Sequence, residues 1–202
     1  MVSYDHYRTS DARALCIKTD TMSVPATFAT QPNVYHSIER MLQGLAFWMG
    51  YKIECYAKHS PVEAVVVDAA VGLLNAHLNH CQYAVCCEYN YGKIIGRKTN
   101  ARADVAIVDT NNNPVCVIEF KLSTNSNGGL KTDISKLRSF KGYFPRIIIY
   151  LSRKDNKMVC WLLSASKTEQ SNNGIRIRRS VKVYKSERPS KNIIRAICIE
   201  VL

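Results

Sequence analysis

The sequence lacks the features of a membrane or secreted protein. No apolar run approaches the roughly 18 residues of a membrane-spanning helix, and the opening stretch MVSYDHYRTSDARAL interleaves charges where a signal peptide would be apolar. There are eight cysteines, but no two are spaced as CxxC, so buried free thiols in a reducing compartment are expected. We therefore expect an intracellular, cytoplasmic protein with no membrane partner; the composition does not exclude a nucleoid or nuclear location.

Three common hydrolase signatures are also missing. The chain contains no GxxxxGK[ST], GxSxG or HExxH, which disfavours nucleotide hydrolysis by a P-loop, serine hydrolysis and zinc proteolysis. The stretch HLNHC has zinc-ligand residue types, but no second ligand pair at finger spacing accompanies it. These residues are better explained as polar residues at the end of a helix.

Acidic residues are scarce in the last third of the chain. The net charge is +12, yet residues 1–130 hold 11 Lys and Arg and 11 Asp and Glu, whereas residues 131–202 hold 17 and 5. The whole excess is therefore in the last third, and one side of the folded protein should be strongly positive. Nucleic acid is the commonest partner of such a surface, because each phosphate that a cation neutralises releases counterions. The alternative is a basic surface that serves solubility alone.

From about Tyr83 the sequence consists of short runs rich in β-branched residues. The runs are YAVCCEYNY, ADVAIVD, PVCVIEFKL, RIIIYLS, VCWLLSA, IRIRRSVKVY and AICIEVL, with a polar loop and a short helix between the third and the fourth. The order helix, helix, three strands, helix, strands predicts the α/β class, with a sheet that is antiparallel at its start. Residues 31–202 are expected to form this single domain, after an irregular N-terminal arm over residues 1–30.

The spacing of apolar residues predicts the helices. The first runs from about Val34 to Gly50. The second lies in SPVEAVVVDAAVGLLNAHL, where Ser60 can cap the helix and Glu63 can complete a capping box. A short third helix is expected around Ile134, after the loop TNSNGG.

The stretch RADVAIVDTNNNPVCVIEFKLS places charged residues near the ends of two predicted strands. Asn tolerates the backbone of tight turns, so DTNNNP predicts a hairpin with a four-residue loop. In that register Asp104 lies opposite Glu119. Arg102 lies opposite Lys121, and because side chains alternate along a strand, all four project from one face. A two-residue loop would keep this face, whereas a three-residue loop or a bulge would break it.

Two facing carboxylates predict a cation between them. Carboxylates whose Cβ atoms lie roughly 4.5–5.5 Å apart repel each other unless a cation separates them. Mg²⁺, for which Mn²⁺ can substitute, prefers carboxylate and water oxygens and commonly binds through one or two protein carboxylates plus a substrate phosphate. Lys121, on the same face as Glu119, would lie beside the phosphate or the attacking water. The alternative is a strand whose Glu and Lys form a solvated cross-strand pair.

This arrangement resembles the PD-(D/E)xK nuclease superfamily. The resemblance rests on Asp104 and on Glu119-Phe120-Lys121 after a hairpin, and it covers residues 60–151 as helix, three-stranded meander, helix and strand. It implies a restriction-endonuclease-like mixed β-sheet flanked by helices. It further implies a divalent metal on Asp104, Glu119 and the Phe120 carbonyl, with Lys121 assisting attack on a phosphodiester. The sequence departs from the motif in having alanine where the proline would stand.

Four further residues are candidates for the same site. The resemblance implies a metal-binding glutamate on the preceding helix, for which Glu63 is the first choice and Glu39 the second; a capping-box role would equally explain Glu63. Glu88 would lie beside Asp104 on the neighbouring strand, or would be an ordinary exposed residue. Arg102 belongs to the basic stretch GRKTNARAD that flanks the motif.

Basic residues of the last third are expected to bind the nucleic-acid backbone, although a solvated face would also explain them. They are Lys131, Lys136, Arg138, Lys141, Arg176, Arg178 and Lys182. The expected function is Mg²⁺-dependent hydrolysis of DNA by an endonuclease or a structure- or end-dependent nuclease, and a homodimer would suit cleavage of both strands. The alternative is a catalytically inactive nucleic-acid-binding module of the same fold.

Overall fold

A computed structural model describes most of the chain. The described residues are 17–20, 32–55, 62–90, 92, 101–123, 128–139, 144–184 and 193–202. The helices among them are α1 (Pro32–Cys55), α2 (Glu63–Asn75), α3 (Gly128–Arg138), α4 (Lys157–Ser164) and α5 (Lys167–Asn172). The strands are β1 (Ile17–Asp20), β2 (Tyr83–Asn90), β3 (Arg102–Asp109), β4 (Pro114–Leu122), β5 (Arg146–Ser152), β6 (Ile175–Tyr184) and β7 (Ile193–Val201).

The described strands form one seven-stranded mixed sheet in the order β1-β6-β7-β5-β4-β3-β2. β2, β3 and β4 are an antiparallel meander, and β4 pairs in parallel with β5 across the helix α3 that joins them. β5 and β6 each pair antiparallel with β7, and β1 pairs antiparallel with β6 at the edge. The predicted α/β class, with a sheet that starts antiparallel, is confirmed.

Hydrophobic clusters cover both faces of the sheet. Helices α1 and α2 pack on one face, where Val105 and Ile118 are buried. Helices α3 and α4 pack on the other, where Ala106 and Val117 are buried beside Leu137. Leu137 is one of the buried side chains that anchor α3, and burial of such a leucine contributes about 1.5–3 kcal/mol.

The three predicted helices are present, but the start of α2 differs from the prediction. Its N-cap residue is Val62, whose side chain makes no capping hydrogen bond, and the helix begins at Glu63. Ser60, the predicted cap, lies outside the described residues. The capping-box interpretation of Glu63 is therefore wrong, and its carboxylate has another role.

The run VCWLLSA, predicted as a strand, is part of helix α4. The side chain of Asn156 accepts a hydrogen bond from the N–H of Val159 and caps the helix. Met158, Val159 and Leu162 are buried on one side of the helix. Periodicity cannot distinguish a strand from a buried helix in a short apolar run. Asn156, a residue type that caps helices, is the feature of the sequence that favours a helix here.

Two elements were not predicted. Strand β1 lies within the segment expected to be an irregular arm, of which residues 1–16 and 21–30 are outside the described part of the chain. Helix α5 begins with a capping box in which the Ser166 side chain and the Glu169 side chain bond each other's backbone N–H groups. None of the helices in the described ranges combines the length and the apolar character needed to cross a membrane.

Candidate active site

Four residues, 110–113, separate β3 from β4, but Asp109 bonds to Asn113, so the hydrogen-bonded turn encloses three residues, where four were predicted. The N–H of Asp109 donates to the carbonyl of Asn113, and Asn112 has a φ of 67°, in the left-handed region that asparagine tolerates. The Asp109 carboxylate accepts hydrogen bonds from the backbone N–H groups of Asn113 and Asn111 at 2.8 and 2.9 Å. These bonds hold the pKa of Asp109 below its usual value.

A β-bulge next to the turn restores the predicted register. Val108 pairs with Pro114, whereas Ile107 pairs with Cys116, so β4 holds one extra residue at this point. The shorter loop and the bulge each shift the register by one residue in opposite directions. Beyond the bulge, the pairing is therefore the one that a four-residue loop would have produced.

Asp104 and Glu119 point to the same face of the sheet. The last ladder pair is Val105 with Ile118, and the same register continued by one residue sets the two acids opposite each other. Val105 and Ile118 are buried under α1 and α2, so their strand neighbours Asp104 and Glu119 point to the α3 side. This is the face that the sequence predicts for both residues.

The carboxylate of Asp104 is held against strand β4. Its Oδ2 accepts a hydrogen bond of 2.7 Å from the backbone N–H of Phe120. Burial raises the pKa of Asp104, although this bond, the charge of Lys136 and a hydrogen bond with Glu119 act in the opposite direction. The N–H and C=O of one strand residue point to the same side, so the Phe120 carbonyl, predicted as a metal ligand, points toward the edge where Asp104 lies.

Glu63 occupies the next position along the same edge of β4. Its Oε2 accepts a hydrogen bond of 3.3 Å from the N–H of Leu122, two residues beyond Phe120. Alternate N–H groups of β4 point toward β3, so the carboxylates of Glu63 and Asp104 flank the carbonyl of Phe120 on that side. The start of α2 thus brings Glu63 to the site that the sequence predicted for it.

Lys136 of α3 provides the cation at Glu119. Its Nζ lies 2.7 Å from Oε1 of Glu119 and 2.9 Å from the carbonyl oxygen of Arg102. Glu119 is only 4% exposed, so this ammonium compensates a buried carboxylate. Lys136 was predicted to bind the nucleic-acid backbone, and the structure places its ammonium at Glu119.

Lys121 is held by a second α3 side chain. Its Nζ lies 3.3 Å from Oδ2 of Asp133. Burial lowers the pKa of Lys121, but the charges of Asp133 and Glu63 outweigh it, so the pKa lies above its usual value. Lys121 is therefore a cation near neutral pH. Asp133 was missed by sequence reasoning, although its spacing from Lys136 places both on one side of α3.

Two acids remain among the predicted site residues: Glu88 lies beside Asp104, and Glu39 lies away from the acid pair. Glu88 lies on β2 at the level of Asp104, has a φ of 50° and forms an exposed ion pair of 3.7 Å with Arg102. Its charge acts to raise the pKa of Asp104. Glu39 instead binds Arg179 of β6 at 2.7 Å, with β7 and β5 between it and the acid pair, so it is not the helix glutamate of this site.

The three basic residues of β6 that were predicted to bind the nucleic-acid backbone do not share one face of the strand. A β-bulge in β6 breaks the alternation of its side chains. Arg176 and Arg178 lie on the α1 side, 3.6 and 2.8 Å from the buried carboxylate of Glu200. Lys182 lies on the opposite face, 3.6 Å from Asp155. These three cations support the fold through ion pairs and do not form a common surface.

The remaining predicted basic residues are on or near α3. Lys131 and Arg138 are exposed on the side of the helix turned away from Lys136. Lys141 lies outside the described residues. The basic surface next to the site is therefore carried by α3 in the described part of the chain.

The donor set of the acid pair fits a hard divalent cation. Among the described residues, no group of three or more His, Cys, Asp or Glu side chains is arranged to hold a metal. Mg²⁺ commonly binds through only one or two protein carboxylates and keeps several waters, and Asp104 and Glu119 supply two. The hydrogen bond from Phe120 engages Oδ2 of Asp104.

The chain matches no protein-family model, no curated protein and no solved structure.

Proposed function

We propose that this protein is a Mg²⁺-dependent deoxyribonuclease with the restriction-endonuclease-like fold of the PD-(D/E)xK superfamily. The observation that carries the proposal is the hydrogen-bonded contact of Asp104 with Glu119 at the end of the β3–β4 ladder, with the amines of Lys121 and Lys136 nearby. The element order supports it: helix α2, the meander β2-β3-β4, the crossover helix α3 and the parallel strand β5.

Three groups would hold the metal directly. Asp104 and Glu119 would supply carboxylates and Phe120 its carbonyl, whereas Glu63, on the same edge of β4, would reach the metal through a metal-bound water. When bound, Mg²⁺ would polarise the substrate phosphate and lower the pKa of its bound water. Oxygen donors of this kind suit Mg²⁺ or Mn²⁺ better than softer metals.

The amines act on the phosphate. Lys121 is protonated, and its charge stabilises the negative charge that develops on phosphate oxygens during hydrolysis. Asp133 positions this amine through the 3.3 Å ion pair. Lys136 neutralises Glu119 and can reorient toward a substrate phosphate once Glu119 has another cation, since its side chain lies at the surface end of the pair.

Cleavage assays test the proposal directly. The protein is incubated with plasmid and linear DNA in Mg²⁺ or Mn²⁺, with EDTA as the metal-free control. Asp104→Asn keeps an oxygen that can accept the Phe120 hydrogen bond but removes the charge, and Arg40→Ala, on α1 across the sheet, is the matched control. We expect cleavage by the parent and Arg40→Ala and none by Asp104→Asn or in EDTA. Cleavage by Asp104→Asn at the parent rate would refute the proposal.

The Lys136–Glu119 contact favours a second candidate function. An ion pair of 2.7 Å satisfies the buried carboxylate without a metal, as in a module that binds nucleic acid and does not cut it. Such a module would bind DNA equally well in Mg²⁺ and in EDTA, and Asp104→Asn would bind like the parent. Failure of the parent to cut any DNA, together with this binding, would establish the second function over the first.

A further inference from the structure

A groove of about 610 Å³ lies between α3, α4 and α5. Its volume is within the range of sites for small ligands or single nucleotides. Lys131, Ile134 and Arg138 recur at helical spacing and turn one side of α3 to the groove. Asp133 and Lys136 turn another side of the same helix to the acid pair. One helix therefore separates the groove from the candidate active site.

The groove combines three cations with an accessible aromatic ring. Lys131, Arg138 and Lys157 line it, and no Asp or Glu is among the described lining residues. Within the described ranges, none of the three cations forms an ion pair. The Trp161 residue is 37% exposed at the same groove. A large aromatic left accessible beside uncompensated positive charge fits a ligand that has both flat rings and negative charges.

Gly174 makes room for Arg138 at this groove. A Cβ built on Gly174 would overlap the guanidinium of Arg138, which rests against the glycine backbone. Gly174 also has a φ of +61°, a conformation that favours glycine. The guanidinium of Arg138 therefore reaches the chain segment that follows α5.

We propose that the groove binds a single strand of nucleic acid, with a base stacked on Trp161 and phosphates on Lys131, Arg138 and Lys157. Stacking on an aromatic side chain tolerates any base, and cations along a groove follow the backbone. This inference rests on the proposed function, because it takes the bound polyanion to be the nuclease substrate. A helix is about 10 Å across, so a strand of several nucleotides would reach the acid pair over α3.

Fluorescence of Trp161 reports occupancy of the groove. The chain has two tryptophans, so Trp48→Phe leaves Trp161 as the single reporter. This variant is titrated with single-stranded oligothymidylate in EDTA, which separates binding from metal-dependent cleavage. We expect saturable quenching, and weaker binding of a duplex of the same length.

Affinities of the variants test which residues make the contacts. With a fluorescein-labelled oligothymidylate, Trp161→Ala should weaken binding about 10-fold, and Trp161→Phe much less, since phenylalanine keeps a ring. Lys131→Ala should reduce the slope of log K against log salt by about 0.7, the loss of one phosphate contact on a single strand. Arg40→Ala, which removes a cation on the other side of the sheet, should bind like the parent.

Several results would overturn the inference. They are absence of quenching, an unchanged affinity of Trp161→Ala, tighter binding of the duplex, and displacement of the oligonucleotide by polyglutamate at equal charge concentration. The groove and the active site fail separately. Cleavage of DNA without Trp161-dependent binding refutes the groove alone, whereas Trp161-dependent binding by a protein that cuts no DNA refutes the nuclease alone.

Discussion

The Nζ of Lys136 lies 2.7 Å from Oε1 of Glu119, so a helix side chain neutralises a buried strand carboxylate at the centre of the candidate site. A buried carboxylate that loses its partner destabilises the fold, unless another cation replaces it. If Glu119 is a metal ligand, Mg²⁺ and this ammonium are alternative partners of the same oxygen. Replacement of Lys136 therefore makes metal binding visible as a change in stability.

Lys136→Met should be less stable than the parent in EDTA and should recover stability in Mg²⁺. We expect a loss of about 1–2 kcal/mol in EDTA, less than for a fully buried pair because Lys136 is 30% exposed. Millimolar Mg²⁺ should raise the melting temperature of Lys136→Met more than that of the parent. Lys131→Met, on the groove side of α3, serves as the control. Equal Mg²⁺ effects on all three proteins would argue against a metal at Glu119.

Glu63→Gln should lose activity but not stability. The glutamine oxygen can still accept the hydrogen bond from the Leu122 N–H, so the free energy of unfolding should change by less than about 1 kcal/mol. If the carboxylate helps to hold the metal, the cleavage rate at limiting Mg²⁺ should fall at least about 10-fold. Asp68→Asn, an exposed change on the same helix, should cleave like the parent. A parent-like rate for Glu63→Gln would assign Glu63 a structural role only.

Glu200→Ala should destabilise the protein strongly. Glu200 is 4% exposed and its oxygens face Arg178 at 2.8 Å and Arg176 at 3.6 Å, while the hydroxyl of Tyr35 donates to it. Removal of the acid leaves two cations facing each other, with an expected cost of about 3–5 kcal/mol. Urea denaturation measures it. Addition of Arg178→Met to Glu200→Ala should recover part of the loss, and a further loss instead would contradict the ion-pair account.

Asp155 should contribute a stability that disappears in acid. Burial raises the pKa of Asp155, but the hydrogen bond and charge of Arg195 and the charge of Lys182 outweigh it, so the folded-state pKa is lowered. A lowered pKa stabilises the fold above the unfolded value of about 3.9, and the contribution is lost as the pH falls through the folded-state pKa. The parent should therefore lose its advantage over Asp155→Asn below about pH 4. A difference in unfolding free energy that stays constant as the pH falls through and below this acid range would contradict the shift.

The register of β3 and β4 was predictable from the sequence, but the backbone that produces it was not. Alternating apolar residues fix which face is buried, and this is why Asp104 and Glu119 share the α3 side. The three-residue turn and the bulge were missed because each costs little free energy. Neither changes the alternation of side chains between the two sheet faces beyond the bulge. They offset each other because burial of the apolar face fixes the register of the inner part of the ladder.

The contacts from α3 could not be read from the motif. Asp133 and Lys136 are ordinary charged residues of an amphipathic helix, and their spacing predicts a shared side without saying what that side meets. The packing of Leu130, Ile134 and Leu137 against the sheet turns Lys136 toward Glu119. The same limit applies to Arg178. The bulge in β6 turns its side chain to the α1 side, where it binds Glu200, and its charge alone does not predict this contact.

Binding of Mn²⁺, followed by the electron paramagnetic resonance signal of the free ion, tests the acid pair most directly. We expect the parent to bind Mn²⁺ at a saturable site that Mg²⁺ displaces. Asp104→Asn and Glu119→Gln should lose this site, whereas Arg40→Ala should keep it. Equal Mn²⁺ binding by the parent and both acid variants, or no binding by the parent, would contradict a metal-dependent nuclease site at Asp104 and Glu119.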